Sequence, residues 1–122
     1  MLKIEPNGET YLTRGDTAFI KPIIEVEDEE KPGKFDPYVL QEGDRVIFRL
    51  ALNSNSPVLI EKDCVIDLEN NKAVLNLVPE DTKDLDPKVY FYCMELVTAT
   101  DNHFTFVENT RFTIGKELEK RE

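Results

Sequence analysis

The sequence predicts an all-β fold, an immunoglobulin-like antiparallel β-sandwich of about seven strands with one short helical turn before the sixth strand. Short segments rich in β-branched and aromatic residues follow one another closely, separated by clusters of Gly, Pro, Asn and Asp. None of these segments has the period of an amphipathic helix of useful length. Runs of short strands joined by turns are typical of two packed antiparallel sheets.

The longest apolar segment, residues 88–99 (KVYFYCMELVTA), predicts the central strand, because its side chains alternate strictly between two faces. The first face, predicted to point into the core, carries Tyr90, Tyr92, Met94 and Leu96. The second face carries Val89, Phe91, Cys93, Glu95 and Val97. Because the second face is also largely apolar, we expect a second copy of the chain or another protein to cover it.

The chain begins with two short segments and a corner. Residues 2–5 and 9–13 predict a short strand that is split by a turn or bulge at Pro6-Asn7-Gly8. Arg14-Gly15-Asp16 then predicts a tight corner, in which glycine supplies the turn and aspartate caps it. Adhesion receptors bind this tripeptide at protruding, flexible tips, so a structural role is expected here.

Residues 17–27 predict a strand that is interrupted at Pro22, since proline cannot donate a ladder hydrogen bond. Its apolar face is formed by Ala18, Ile20, Pro22, Ile24 and Val26. The charged residues 28–36 (DEEKPGKFD) predict an exposed loop, and residues 37–40 predict a short cover that packs back on the core.

The middle of the chain predicts three more extended segments. After a turn at Gly43-Asp44, residues 45–52 predict a half-buried strand, because Val46, Phe48, Leu50 and Leu52 share one face. Residues 58–69 predict an extended segment with a weak point near Lys62-Asp63. Asn70-Asn71 predicts a hairpin, since Asn tolerates positive φ, and residues 72–78 return from it.

The last third of the sequence contains the helical turn and the closing strand. Residues 79–85 (PEDTKDL) predict a single helical turn, because Pro stands first and acidic residues follow. Tyr90 is a candidate for a corner tyrosine, whose hydroxyl bonds back to the main chain. Residues 103–114 predict the final strand, joined to the central strand by the loop 100–102 in a register that sets Leu96 opposite Phe106.

The length of 122 residues predicts one domain, a sandwich over residues 1–115 followed by a charged tail over residues 116–122 that frays. Twenty-five acidic and fifteen basic residues give a net charge of 15 − 25 = −10. This charge opposes binding to nucleic acid and to anionic membranes, so neither is an expected partner. Neutral or basic proteins are compatible with it.

No signal peptide is predicted, since residues 1–7 contain no apolar core, and no apolar segment is long enough to span a bilayer. We therefore expect the protein to be made and kept inside a cell or released by lysis. In a reducing compartment Cys64 and Cys93 are expected to be free, buried thiols. One histidine and two distant cysteines do not provide a structural zinc site.

Two arrangements of residues in the sequence are candidates for chemistry. In the predicted register His103 lies opposite Ala99, about 20 Å along the strand from Cys93, which is too far for a nucleophile and its base. Two acidic clusters lack the ligand-and-glycine spacing of a calcium loop. They comprise Glu25, Glu27, Asp28, Glu29 and Glu30, and then Glu80, Asp81, Asp84 and Asp86. The sequence therefore predicts a non-enzymatic protein without catalytic, cofactor or metal sites.

Three motifs resemble the N-terminal domain of phage baseplate upper proteins and related prophage tail proteins of low-GC Gram-positive bacteria. They are LTRGDT at residues 12–17, LQEGDRVIF at residues 40–48 and PEDTKDL at residues 79–85 before a Tyr-rich strand. The resemblance extends from Leu12 to about Gly115. It implies an immunoglobulin-like sandwich that docks on a tail or baseplate core. The chain departs from the family at Pro87-Lys88, where Gly is usual, and in the acidic residues 28–36.

The resemblance therefore implies a structural docking module of a phage tail, located in the virion after assembly in the bacterial cytoplasm. Its expected partners are tail or baseplate proteins, with a homo-oligomer as a further option. The alternative is a carbohydrate- or surface-binding sandwich, although such modules often expose an aromatic platform and this chain contains no Trp. An enzyme is the third and weakest interpretation.

Overall fold

The computed structural model describes residues 1–117 and consists of eleven strands and one four-residue helix, which confirms the all-β prediction. The strands are β1 (Leu2–Ile4), β2 (Thr10–Thr13), β3 (Ala18–Ile20), β4 (Glu25–Glu27), β5 (Phe35–Pro37), β6 (Arg45–Ala51), β7 (Val58–Asp63), β8 (Val65–Asp67), β9 (Lys72–Leu77), β10 (Val89–Val97) and β11 (His103–Gly115). The helix α1 spans Pro79–Thr82. The eleven strands exceed the predicted seven because three of the predicted segments are each divided into two strands and because β5 forms at the end of the predicted loop 28–36.

Two main sheets form the sandwich. The first has six strands in the order β1-β2-β11-β10-β6-β7, and it is mixed because β2 runs parallel to β11. The second has three antiparallel strands in the order β3-β9-β8. Strands β4 and β5 form a separate two-stranded ribbon. One hydrophobic cluster joins side chains of both main sheets, so the predicted β-sandwich is confirmed. The prediction of purely antiparallel sheets is wrong for β2, which runs parallel to β11.

The centre of the core is aromatic. The rings of Phe48, Tyr92 and Phe112 lie 5.6–5.8 Å apart, with Phe112 edge-on to the other two. The predicted core face of β10 is confirmed, since all four of its members are buried. These members are Tyr90, Tyr92, Met94 and Leu96. Leu52 differs from the prediction: it lies beyond the end of β6 and is 39% exposed.

The N-terminal segment is a hairpin and not the single split strand that the sequence predicts. Strands β1 and β2 are antiparallel, with Leu2 opposite Leu12. The turn is closed by two main-chain hydrogen bonds, from Gly8 N to Glu5 O at 2.9 Å and from Glu5 N to Glu9 O at 2.8 Å. The chain reverses at this turn, so β2 rather than β1 reaches the edge of β11.

The predicted exposed loop 28–36 is shorter than expected, because its last residues are in β5. Val26 pairs with Asp36 in the ribbon, and Asp28 N donates to Lys34 O at 2.8 Å across the turn. The predicted break at Pro22 is confirmed, since β3 ends at Ile20 and β4 begins at Glu25. The predicted cover is also confirmed, because Leu40 is buried and Tyr38 packs against the core.

The predicted extended segment 58–69 is two strands that belong to different sheets. Strand β7 pairs with β6, whereas β8 pairs with β9. The change of sheet takes place at Cys64, whose side chain is buried and whose N–H donates to Val46 O at 2.8 Å. The break lies next to the predicted weak point at Lys62-Asp63. The predicted hairpin at Asn70-Asn71 is confirmed, with Asn71 at a φ of 51°.

The register of the β10–β11 hairpin differs from the prediction near its loop. Leu96 lies opposite Phe104, not Phe106, because a five-residue loop, residues 98–102, joins the strands. The predicted register returns further along, where Tyr92 lies opposite Thr110. The register shifts by one residue on each side of Met94, and these two irregularities account for the two-residue difference between the ends of the hairpin. Asn109 adopts a φ of 37° on the bulged strand.

Helix α1 confirms the predicted helical turn and anchors the corner that precedes β3. Gly15, at a φ of 82°, donates its N–H to the buried hydroxyl of Thr82 at 2.8 Å, and Arg14 Nη1 donates to Leu85 O at 3.1 Å. The prediction that glycine supplies this turn is confirmed. The predicted cap by Asp16 is wrong, since its carboxylate contacts the amino group of Met1.

The corner tyrosine is confirmed: Tyr90 Oη donates to Asp86 O at 2.8 Å. The beginning of the predicted tail is held, because Arg14 Nε donates to Glu117 Oε2 at 3.0 Å. Glu117, the second residue of the predicted tail, therefore contacts the corner that precedes β3. The rest of the predicted tail, residues 118–122, lies outside the described residues.

A buried carboxylate fixes the turn before β6. Asp44 is 7% exposed; its Oδ2 accepts from Tyr38 Oη at 2.7 Å and Gln41 N at 2.8 Å, and its Oδ1 accepts from Ala99 N at 3.0 Å. Burial, and then the bond to Asp44, raises the pKa of Tyr38 to about 12. The neighbouring Gly43 has a φ of 91°, and a Cβ there would lie 2.9 Å from Ala99 Cβ. The turn is therefore specified by both residues.

We expect Asp44→Ala to lower the free energy of unfolding by about 2 kcal/mol, because it removes the buried acceptor of three partly buried hydrogen bonds. Urea unfolding measures this loss. Tyr38→Phe is the control, since it removes one hydroxyl donor, and it should cost about 1 kcal/mol. A loss for Asp44→Ala no larger than that for Tyr38→Phe would contradict a carboxylate shared by three donors.

Candidate protein-docking surface

The outer face of the six-stranded sheet is the surface that the sequence predicts to need a cover. The pairing of β10 with β6 and of β6 with β7 arranges its side chains in rows, such as Phe91, Ala51 and Val58 in one and Cys93, Arg49 and Glu61 in the next. In the monomer, Phe91, Cys93 and Val97 are half-buried. The monomer therefore covers the predicted apolar strip, formed by Phe91, Cys93 and Val97, only in part.

Ion pairs occupy the middle of this outer face. Arg49 Nε donates to Glu61 Oε2 at 2.8 Å and Arg49 Nη1 to Glu95 Oε1 at 3.3 Å. Arg45 Nε donates to Asp63 Oδ2 at 3.0 Å. Ile47, which points outward between the two arginines, is only 3% exposed. The prediction that Glu95 faces outward is confirmed, but its side chain is 19% exposed and paired rather than fully solvated.

A shallow groove lies at the Phe91 end of this outer face. It has a volume of about 340 Å³, and its lining includes Arg49, Ser56, Val58, Phe91, Cys93 and Asn109. Val58 is 50% exposed, so the apolar row formed with Phe91 and Ala51 reaches solvent at β7. Aromatic and arginine side chains, here Phe91 and Arg49, are enriched at surfaces that bind proteins.

Both cysteines are free thiols, as the sequence predicts. The prediction that both are buried is confirmed for Cys64 and wrong for Cys93, which is half-buried. Burial raises the pKa of Cys64 to about 12, and burial is also the main cause of the raised pKa of Cys93. Because the thiolate is the nucleophilic form, raised pKa values make both side chains poor nucleophiles at neutral pH. Their environment therefore provides packing rather than activation.

The structure does not bring Cys93 and His103 together. His103 lies opposite Val97, not Ala99 as predicted, and this places it about 13 Å along the strand from Cys93. Its ring contacts Asp101 Oδ1 at 3.0 Å and Glu95 Oε2 at 3.4 Å. The prediction that His103 is an exposed residue near the turn is confirmed, since its side chain is 53% exposed.

We expect the pKa of His103, the single histidine of the chain, to lie above 6.5, because Asp101 and then Glu95 favour its protonated form. These contacts stabilise the fold below the unfolded pKa of about 6.5 and lose this effect as the pH rises through the higher folded pKa. NMR titration of the ring measures it, and Asp101→Asn should lower the pKa more than Glu95→Gln. A pKa at or below 6.5 in the parent protein would contradict the contacts.

The two acidic clusters of the sequence lie in different elements. The first lies in β4 and in the turn after it, and the second lies in α1 and in the residues between α1 and β10. Asp81 of the second cluster is engaged by Lys62 Nζ at 2.6 Å and by Val78 N at 2.8 Å. Within residues 1–117, no group of three or more His, Cys, Asp or Glu side chains is arranged to hold a metal ion.

Sequence reasoning missed a second groove, between the β4–β5 ribbon and the beginning of β11. Its volume is about 520 Å³, larger than that of the groove at Phe91. The apolar alternation of Phe104 and Phe106 and the acidic residues before position 28 were visible in the sequence. Their proximity was not, because it depends on how the ribbon folds back across the sandwich.

No protein-family model matches the chain, and no curated protein matches it in sequence. In the part of the chain that the structure describes, the one helix, α1, lacks the length and apolar character needed to cross a membrane.

Proposed function

We propose that this protein is a non-enzymatic docking module of a phage or prophage tail baseplate that acts through protein–protein contacts. The observation that carries this proposal is the outer face of the six-stranded sheet, where Phe91 and Val58 reach solvent beside the ion pairs of Arg49. Aromatic and arginine side chains are enriched where proteins bind one another. The three sequence motifs that resemble baseplate upper proteins supply the biological setting.

The chemistry of the side chains also favours docking over catalysis. The two thiols have raised pKa values, and the histidine is held by carboxylates at an exposed position away from both. A catalytic nucleophile requires a base within hydrogen-bond reach, which neither cysteine obtains from His103. These arrangements support a protein whose surface, rather than a reacting group, performs its function.

The proposed partners are tail or baseplate proteins, with a second copy of the chain as a further option. The proposed location is the virion tail, reached after assembly in the bacterial cytoplasm. The net charge of −10 disfavours nucleic acid and anionic membranes and is compatible with neutral or basic protein surfaces. Phe91 provides the apolar contact in this proposal, and the surrounding ion pairs set the orientation of the partner.

Immunogold electron microscopy of particles from an induced lysate tests this proposal. Antibody against the chain should label one end of the tail in parent particles. Phe91→Glu should abolish the labelling, whereas Phe19→Glu, at a 61% exposed phenylalanine of the other sheet, should preserve it. Thermal melting of both variants shows whether each is folded. Absence of the parent protein from particles would refute the proposal, and strong, selective binding to a glycan array would favour the carbohydrate-binding alternative.

A further inference from the structure

The beginning of β11 is an unpaired sheet edge in the part of the chain that the structure describes. Strand β11 extends over thirteen residues, but β2 pairs with it only at Phe112–Gly115. On its other side, β11 pairs with β10 along nearly its whole length. Main-chain N–H and C=O groups that point away from β10 in residues 103–106 therefore have no strand partner. Such an edge can pair with an added strand.

The second groove opens on this edge. Four consecutive residues of β11, His103 to Phe106, line it, and three consecutive residues of β4, Glu25 to Glu27, line it from the other side. Successive side chains of a strand point to opposite faces, so a cleft lined by consecutive residues exposes the edge of the strand and not one face. Strands β4 and β11 belong to different sheets, so the groove has a strand edge on each side.

The lining of the groove is both apolar and acidic. Ile23 is 83% exposed and Phe35 is 55% exposed, beside the half-buried Phe104 and Phe106. Glu25 and Glu27 are exposed, and within residues 1–117 neither makes a salt bridge. Among the described residues, the groove therefore presents two carboxylates outside any salt bridge next to apolar surface that remains in water. His103, on the opposite wall, contacts Asp101 and Glu95 instead.

We infer that this groove binds an extended segment of a partner protein that alternates basic and apolar side chains. The segment would lie along the unpaired edge of β11 and form main-chain hydrogen bonds with it, as in other strand additions. Because its side chains alternate, one set would contact Phe35 and Phe106, and the lysine or arginine set would pair with Glu25 and Glu27. This inference rests on the proposed docking function, and it adds a site and a partner chemistry to it.

Binding of a labelled heptapeptide of alternating lysine and valine to the full chain tests the inference. We expect Glu25→Gln/Glu27→Gln to weaken binding about five-fold or more, since it removes two ion pairs. The matched control is Glu29→Gln/Glu30→Gln, which removes the same charge from the turn of the same ribbon, outside the groove. It should change the affinity less than two-fold, a small effect that long-range charge alone would produce. Equal weakening by the two double variants would overturn the site.

Hydrogen exchange tests the hydrogen bonds of the added strand. The peptide should slow amide exchange in residues 103–106 of β11, and a peptide of the same sequence with N-methylated backbone amides should bind at least ten-fold more weakly. Absence of peptide binding, or equal binding of the methylated peptide, would overturn the inference. Concentration-dependent protection of the same amides without peptide would also overturn it, in favour of a second copy of the chain.

These results are separable from those of the particle experiment. If the protein is absent from tails but binds the peptide in the groove, the docking site stands and the phage assignment fails. If the protein labels tails but does not bind the peptide, the phage assignment stands and the groove is not the docking site.

Discussion

Replacement of Phe48 by alanine should lower the free energy of unfolding by about 3–5 kcal/mol, the largest loss expected from a single truncation in this chain. The Phe48 side chain is completely buried, and its ring packs against both Tyr92 and Phe112. Truncation removes buried apolar surface and leaves a cavity in the core between the two sheets. The close-packed side chains around this cavity relax to fill it only in part. Urea unfolding monitored by circular dichroism measures the loss.

Phe19→Ala provides the matched control, because the same atoms are removed from a side chain that is 61% exposed on β3. We expect it to cost within about 0.5 kcal/mol, as for surface substitutions that leave no cavity. Comparable losses for the two variants would contradict a core centred on Phe48 and would place Phe19 in a buried position.

The second large effect is expected at Met94, which is 1% exposed on the core face of β10. Met94→Ala should create a cavity and cost about 2–5 kcal/mol, a large fraction of the stability of a typical domain. Glu95→Ala, one residue further and on the outer face, should cost about 1 kcal/mol or less. This expected loss of unfolding free energy is larger than for a fully solvated glutamate, because Glu95 pairs with Arg49 and contacts His103.

The difference between these two variants tests the orientation of β10. Chemical denaturation of both proteins in the same buffer, fitted with a common m-value, gives the comparison. Equal destabilisation by Met94→Ala and Glu95→Ala would show that the two faces of the strand are not distinguished as the structure places them.

The features predicted from the sequence are those that local signals specify. Strict alternation over residues 88–99 predicts β10 and its core face, because a strand with a period of two has a single way to bury Tyr92 and Met94. Pro79 and the acidic residues after it predict α1. The hydrogen bond of Tyr90 to Asp86 follows from the position of Tyr90 after the helical turn, which is again a local relation.

The features missed from the sequence depend on contacts between distant residues. The change of sheet at Cys64 follows from its burial and from the bond to Val46, neither of which local propensity specifies. The β10–β11 register shifts because bulges near Met94 accommodate a longer loop than predicted. The pairing of β4 with β5 was also missed, because β5 begins inside a charged segment that has no alternation of apolar and polar residues.

The candidate surface was predicted in part. Alternation placed Phe91, Cys93 and Val97 on the outer face correctly, and it placed Arg49 opposite the apolar face of its own strand. It did not predict that β6 pairs with β10, which brings Arg49 beside Cys93. This arginine converts an apolar strip into a mixed surface. The groove along β11 was missed because its two walls, at Glu25 to Glu27 and at His103 to Phe106, are far apart in the sequence.

Quantitative mass spectrometry of purified tail particles tests the docking module most directly. Particles are separated from free protein on a density gradient, and the chain is counted against a known tail protein with isotope-labelled standards. Docking on a symmetric baseplate predicts that the chain sediments with the tails at a constant whole-number ratio to that protein, and that Phe91→Glu lowers this ratio while Phe19→Glu leaves it unchanged. Recovery of the parent chain at the top of the gradient, with none in the particles, would contradict the proposal.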